Sequence, residues 1–139
     1  MKNKKRILFN KQSIYGNEIE YVNNVLDAGH TSGDGTYTKK CQELLQKELN
    51  VPKVLLTTSC THALEMTAIL LEIGPGDEVI LPSFTFVSTV NAFVLQGAQP
   101  IFVDIRNDTL NIDESQIESK ITEKTKAIII VHYAGVGCK

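Results

Sequence analysis

Residues 78–105 read EVILPSFTFVSTVNAFVLQGAQPIFVDI, in which two short apolar runs flank a longer helical pattern. The runs at 78–82 and 100–105 have the length and the apolar character of buried strands. Residues 86–96 form the predicted helix between them, and Gly97 supplies its stop. A strand, a helix and a second strand in this order give a parallel pair. The stretch therefore predicts an α/β fold with a mostly parallel, buried sheet and flanking helices.

The rest of the chain extends this alternation in both directions. Further strands are predicted at 53–57 and at 126–133, KAIIIVHY, and further helices at 14–28, 37–49 and 61–72. Gly29 is expected to close the first helix in the left-handed conformation, and Asp113 to cap a short helix that extends to Lys120. Residues 1–139 are thus expected to form one domain with three parts. These are a polar arm at 1–12, two helices within 13–50 and βαβ units over 53–139.

Composition excludes several classes of function. The chain has 139 residues and a net charge of −2, so no basic surface for nucleic acid is indicated. Its apolar runs are far shorter than the ~20 residues of a membrane span. The 3 cysteines are widely spaced and match neither a disulfide framework nor a zinc pattern, and the histidines lack metal-ligand spacing. We expect a cytoplasmic protein without a metal site.

Residues 57–62, TTSCTH, lie where a predicted strand ends and a helix begins. The first amides of a helix lack internal partners, and small residues there let an anion approach them. Phosphate binding is one interpretation, and simple capping by Ser59 or Thr61 is the other. Cys60 allows a third, a thiol nucleophile at a helix start, against the plainer expectation of a small buried cysteine. His62 is a poor base for Cys60, since residues two apart on a helix do not face each other.

Two more strand ends carry unusual side chains. PSFTFVSTVNA at 82–92 places Phe84 and Phe86 at the carboxyl edge, where either lies against a flat ligand or packs in the core. HYAG at 132–135 follows the last predicted strand at the same edge. Since ligands of open α/β sheets bind at this edge, the three strand ends together could outline a site for a planar, phosphorylated ligand.

These motifs stand in an order that resembles a known family. TTSCTHALEMTAILLEIGPGDEVILPSFTFVSTVNAFVLQGAQPIFVDI, with SGDGTYTKKCQELL before it and VHYAG after it, is similar to the DegT/DnrJ sugar aminotransferases. The resemblance implies the large domain of the aspartate-aminotransferase-like fold (fold type I), of which this chain is the amino-terminal part. It also implies pyridoxal phosphate as cofactor. The implied reaction transfers an amino group from glutamate to a nucleotide-linked (dTDP) 4-keto-6-deoxy sugar for polysaccharide synthesis.

The resemblance also assigns roles to residues. The turn Ser59-Cys60-Thr61 matches the family's cradle for the cofactor phosphate, and Phe86 matches the aromatic that lies against the pyridine ring. His132 is expected near the cofactor. Residues 32–38 are expected to serve substrate binding or the subunit interface of a homodimer.

The chain departs from the family pattern in one respect. The family's Schiff-base lysine and the aspartate against the pyridine nitrogen belong to later motifs, and no lysine here, Lys53 and Lys126 included, has that context. We therefore expect no catalytic residue and no turnover from this chain alone. The family topology would also leave strand 53–57 unpaired and expose an aggregation-prone edge at 126–131. A truncated remnant, half of a split enzyme and a related sugar dehydratase remain as alternatives, as does a thiol enzyme based on Cys60.

Overall fold

The computed structural model describes residues 6–8 and 10–139. The chain divides into two compact units between Leu56 and Thr57. Of the predicted polar arm, residues 1–5 and 9 lie outside the described residues, while 6–8 and 10–12 are exposed and have no regular secondary structure. No helix of the described residues is long and apolar enough to cross a membrane.

The first unit contains two helices, α1 (Glu18–Asp27) and α2 (Thr36–Leu49). The helix predicted at 14–28 begins four residues late because the carboxylate of Glu18 accepts hydrogen bonds from the amides of Tyr15 and Gly16. These bonds lower the pKa of Glu18. Gly29 follows α1 with φ +67, as predicted for a helix end. Neither helix contains a buried residue.

The strand predicted at 53–57 is not formed. Within the described residues the sheet contains only the three strands of the second unit, and residues 53–57 belong to none of them. Leu55 and Leu56 are exposed instead of buried. A strand exists only when a neighbour pairs with its backbone groups, and a local apolar run cannot supply that neighbour.

The second unit contains helices packed on a parallel sheet. Its regular elements are, in chain order, α3 (Cys60–Leu70), β1 (Glu78–Pro82), α4 (Val87–Val94), β2 (Gln99–Val103) and β3 (Thr125–Ile128). The strand order is β2-β1-β3, and both pairings are parallel. The α/β fold class and the edge position of the last strand are confirmed.

The strand bounds differ from the predictions at the carboxyl ends. β1 coincides with the predicted 78–82, but β3 ends at Ile128 and not at 133. One further bond, from the amide of Ile129 to the carbonyl of Ile80, continues the pairing beyond β3. After it the chain turns into a loop at 131–138, and Pro82 ends the neighbouring strand β1.

Side chains alternate across the sheet and build a core on each face. Val79 and Leu81 point to the face covered by α3 and α4, where they pack with Ala68, Ala92 and Phe93. Ile80 points to the opposite face and packs with Val103 and Ile112.

Tight turns close these layers. Gly97 ends the turn after α4 with φ +95, and a Cβ there would lie 2.9 Å from Cγ of Pro75. Asp113 caps a 3₁₀ turn at Glu114–Gln116, and a second turn runs over Glu118–Lys120, where a single short helix was predicted.

Candidate functional site

The first turn of α3 is built as predicted for a helix start. Ser59 has extended backbone angles, and its hydroxyl accepts a 3.1 Å hydrogen bond from the amide of His62. The hydroxyl of Thr57 donates to the carbonyl of Ser59 at 2.8 Å and fixes the approach to the helix. Capping by Ser59 is therefore confirmed. The amides of Cys60 and Thr61 come earlier in the turn, where the helix supplies no acceptor, so an anion can still bind them.

Helices α3 and α4 both begin at the carboxyl edge of the sheet. α4 follows the carboxyl end of β1 after a short turn. The last residues of α3 lead through the turn at 71–77 to the amino end of β1. The first residue of α3 therefore lies toward the carboxyl edge of the sheet. The two helices pack against each other. Their positive dipole ends therefore lie on the same side of the sheet.

The two phenylalanines after β1 are not core residues. Phe86 is 73% exposed and occupies the N-cap position of α4, while Phe84 is 45% exposed. The ring of Phe84 contacts the ring of Tyr133, with centroids 5.2 Å apart and planes inclined by 54°. Core packing is thus the wrong interpretation for both residues, and the side chain of Phe86 is accessible at the edge.

The loop at 131–138 brings His132 to the same edge. Nδ1 of His132 accepts a 3.0 Å hydrogen bond from the amide of Cys138, so a neutral ring carries its proton on Nε2. The thiol of Cys138 contacts the carbonyl of Val131 at 3.3 Å. The loop is held in place by bonds at both of its ends, and His132 itself is exposed.

Cys60 differs from the predicted small buried cysteine. It is exposed as the first residue of α3. The ring of His62 bonds to the hydroxyl of Thr58, four residues earlier, and not to the thiol. The expectation that His62 is no base for Cys60 agrees with this geometry.

Sequence reasoning missed Asn111 and Asp104. Asn111 is 2% exposed, and its side chain bonds to backbone groups of the loop at 131–138. Asp104 follows β2, and its carboxylate accepts from the amide of Ile105 and, at 3.5 Å, from the hydroxyl of Ser83. The only signal for Asn111 in the sequence is one amide between two apolar residues, in TLNI.

A charged cluster lies beside Asn111. Arg106 forms ion pairs with Asp108 at 3.0 Å and Glu114 at 2.9 Å. The hydrogen bond and charge of Asp108, and then the charge of Glu114, raise the pKa of Arg106, and Arg106 in turn lowers the pKa of Asp108. The hydroxyl of Ser115 lowers the pKa of Asp113. This cluster fixes the hairpin after β2.

Residues 32–38 form a turn and the start of α2 in the first unit. His30 Nε2 lies 3.3 Å from the carbonyl of Gly33, and the hydroxyl of Tyr37 accepts from Asn24 at 3.1 Å. Nζ of Lys40 lies 5.1 Å from the centroid of the Tyr37 ring. Asn24, His30, Tyr37 and Lys40 are among the residues that line a cavity of about 260 Å³.

A parallel sheet with two helix starts at its carboxyl edge defines the class as α/β proteins, which bind their ligands at that edge. The sequence profile of the DegT/DnrJ/EryC1/StrS aminotransferase family matches residues 12–139, and the chain belongs to this family.

Known proteins resemble the chain over most of its length. GDP-perosamine synthase of Escherichia coli O157:H7 is 42% identical over 126 residues, which are 91% of this chain and 35% of that protein. A Streptococcus pneumoniae protein described as a sugar aminotransferase, solved in its PLP form, is 39% identical with a TM-score of 0.86, covering 96% of this chain and 34% of that one.

NtdA of Bacillus subtilis, solved with bound cofactor PMP, is 38% identical with a TM-score of 0.77, covering 84% of this chain and 27% of that one. The chain thus spans about a third of the length of these relatives. The predicted family and the aminotransferase-like fold class are confirmed.

Proposed function

We propose that this chain supplies the phosphate cradle and ring platform of a pyridoxal-phosphate sugar aminotransferase. The observation that carries the proposal is the exposed first turn of α3, where Ser59 caps the helix and the next two amides point outward. Relatives solved with PLP or PMP support this cofactor. When bound, it supplies the electron sink for moving an amino group.

Each predicted site residue takes a role at the carboxyl edge. The amides of Cys60 and Thr61 bind the phosphate, Ser59 orients them by fixing the helix start, and the helix dipole stabilises the negative charge. Phe86 covers one face of the pyridine ring and excludes water from it. His132 lies beside the cofactor with its tautomer fixed by the amide of Cys138.

The lysine that anchors the cofactor comes from outside these residues. Among the described residues of the second unit, Lys120 and Lys124 precede β3 and Lys126 is its second residue, so all three lie toward the amino ends of the strands. Lys139 lines a separate cavity with Arg106 and Asn111. Residues 1–139 alone are therefore expected to show no turnover. The whole protein, or a second chain in a split enzyme, completes the site.

The substrate of the complete enzyme is a nucleotide-linked 4-keto-6-deoxy sugar, with glutamate as the amino donor and dTDP as the first nucleotide to test. The name of the E. coli relative favours a GDP-linked sugar as a second candidate. Assays with dTDP-linked and GDP-linked keto sugars distinguish the two. Release of 2-oxoglutarate distinguishes transamination from the dehydratase alternative.

The proposal also includes a homodimer of the complete protein. The apolar side chains of α1 and α2 are exposed or half-buried, and several of them line an apolar groove together with Tyr37 and Cys41: Tyr21, Val22, Val25 and Leu26. Burial against a second copy would remove this surface from water. Sedimentation of the complete protein at twice the mass of one chain is the expected result.

The decisive test is the intact mass of the protein purified from its source, before and after borohydride reduction. Borohydride fixes a link between lysine and the cofactor irreversibly. A chain longer than 139 residues that carries the reduced adduct supports the proposal. A 139-residue mass without an adduct contradicts the enzyme and favours a remnant that retains only the phosphate cradle.

A further inference from the structure

Asn111 is buried between two segments that are distant in the chain. It is 2% exposed and lies on the hairpin that joins Ile105 to Ile112 after β2. Its Nδ2 donates to the carbonyls of Val136 at 3.0 Å and Gly137 at 3.1 Å, and its Oδ1 accepts from the amide of Tyr133 at 2.8 Å. One side chain thus satisfies three backbone groups of the loop at 131–138.

The loop needs an external support of this kind. Ala134 and Gly135 are consecutive residues with positive φ, 51° and 81°, a conformation that does not extend the strand before it. The loop's own bonds, such as Val136 amide to Tyr133 carbonyl, are local. Asn111 links this loop to the hairpin after β2 and thereby fixes the position of Tyr133.

Tyr133 connects the loop at 131–138 to the end of β1. Its ring contacts Phe84 with centroids 5.2 Å apart. Phe84 lies in the turn between β1 and α4, two residues before Phe86 at the N-cap of α4. The carboxyl ends of three strands are therefore joined through Asn111, Tyr133 and Phe84.

We propose that Asn111 is a positioning residue of the cofactor site, which fixes Tyr133 and, through Phe84, the turn that presents Phe86. The inference rests on the proposed function, because Phe86 is the ring platform only if the edge binds pyridoxal phosphate. Asparagine suits the place because an amide donates and accepts at once. Aspartate keeps the acceptor for Tyr133 but has no donor for the two carbonyls, and leucine has neither.

The experiment measures the dissociation constant of pyridoxal phosphate for the complete gene product, three single variants and one double variant, with unfolding in urea as a parallel readout. Asn111→Leu removes all three bonds, and Asn111→Asp retains the acceptor. Val79→Ala is the matched control, because Val79 is fully buried on the other face of the sheet and its truncation lowers stability without touching the loop.

We expect Asn111→Leu to weaken cofactor binding by about tenfold, Asn111→Asp to weaken it less, and Val79→Ala to change it by less than about twofold. Amide hydrogen exchange at 132–137 should accelerate in Asn111→Leu and not in the control. Adding Phe84→Leu to Asn111→Leu should weaken cofactor binding little further, because both residues act on Phe86 through the same chain of contacts.

The outcomes separate the two proposals. If the unaltered protein binds no pyridoxal phosphate, the proposed function is wrong, and the role of Asn111 toward the cofactor is wrong with it. If the unaltered protein binds and Asn111→Leu binds equally well, only the role of Asn111 is overturned. A loss of affinity in Asn111→Leu no larger than in Val79→Ala also overturns it, since stability alone then explains the effect. Should Asn111→Leu fail to fold, the comparison of Asn111→Asp with Val79→Ala decides in the same way.

Discussion

The amide of Tyr133 donates a 2.8 Å hydrogen bond to Oδ1 of Asn111, which lies 22 positions earlier in the chain. This bond joins the loop after β3 to the hairpin after β2. The ring of Tyr133 contacts Phe84, which follows β1. The edge where the cofactor is proposed to bind is therefore one connected structure, and substitutions at its separate parts should have separable effects on folding and binding.

Ser59→Asp should separate capping from phosphate binding. Aspartate caps a helix as well as serine does, and its charge is favourable at the helix start, so the thermal midpoint should be unchanged or higher. The same charge repels the cofactor phosphate, and the dissociation constant should rise by more than about tenfold. Ser119→Asp adds the same charge to an exposed turn before β3 and should leave binding unchanged. Equal affinity of both variants would show that the phosphate binds elsewhere.

Phe86→Leu should weaken cofactor binding without weakening the fold. The side chain is 73% exposed, so the free energy of unfolding should change by no more than about 0.5 kcal/mol. Loss of the ring contact should reduce affinity by about fivefold, the equivalent of ~1 kcal/mol. Phe102→Leu provides the control, because Phe102 is another exposed phenylalanine but lies within β2. A similar loss in both variants would contradict a specific role for Phe86.

The sequence predicts the fold correctly where the pattern of a single segment is sufficient to define its secondary structure. The apolar run at 78–82 became β1 with the same bounds, since both of its faces are covered and residues 79–82 are buried. The run at 53–57 carried the same local signal and formed no strand. The strand does not form because no neighbouring strand among the described residues pairs with it. A local sequence pattern cannot reveal whether such a neighbour exists.

The candidate site was predictable at helix starts but not across the chain. Ser59 followed from capping chemistry, which needs only the next three residues. Cys60 was expected to be buried because thiols usually are, but the first position of α3 faces outward. The part played by Asn111 depends on bonds to residues 22 to 26 positions away, so nothing in its neighbourhood indicated it.

Phe93→Ala should strongly destabilise the fold. Phe93 is 2% exposed and packs between α4 and the sheet with Ala68 and Leu81. Removing the ring leaves a cavity, and the free energy of unfolding in urea should fall by about 3–5 kcal/mol. Val94→Ala, at the adjacent exposed position, should cost much less. Comparable losses in the two variants would mean that this face of the sheet is not the core.

Acid should weaken the hairpin after β2 through Asp113. Hydrogen bonds from Ser115 and then Gln116 lower the pKa of Asp113 below the ordinary 3.8 of an aspartate. A lowered carboxyl pKa contributes stability that is present above 3.8 and is lost as pH falls through the lower value of the folded state. A carboxyl-carbon NMR titration should show the low pKa, and Ser115→Ala should raise it toward the ordinary value. A titration unchanged by Ser115→Ala would refute the assigned cause.

The outer edge of β3 should govern the solubility of residues 1–139 expressed alone. Within the described residues β3 pairs only with β1, and Ile128 and Ile130 are 42% and 51% exposed along this apolar stretch. An open apolar edge promotes pairing between chains, so the isolated chain should aggregate, and Ile130→Lys should raise its soluble fraction severalfold. Ile121→Lys makes the same charge change at a position that is 52% exposed but lies before β3 and outside the apolar stretch at 126–131, and it should help much less. Light scattering and sedimentation measure both effects. If the chain without either substitution is monomeric and unfolds cooperatively, the open edge of β3 does not cause aggregation, and the prediction is wrong.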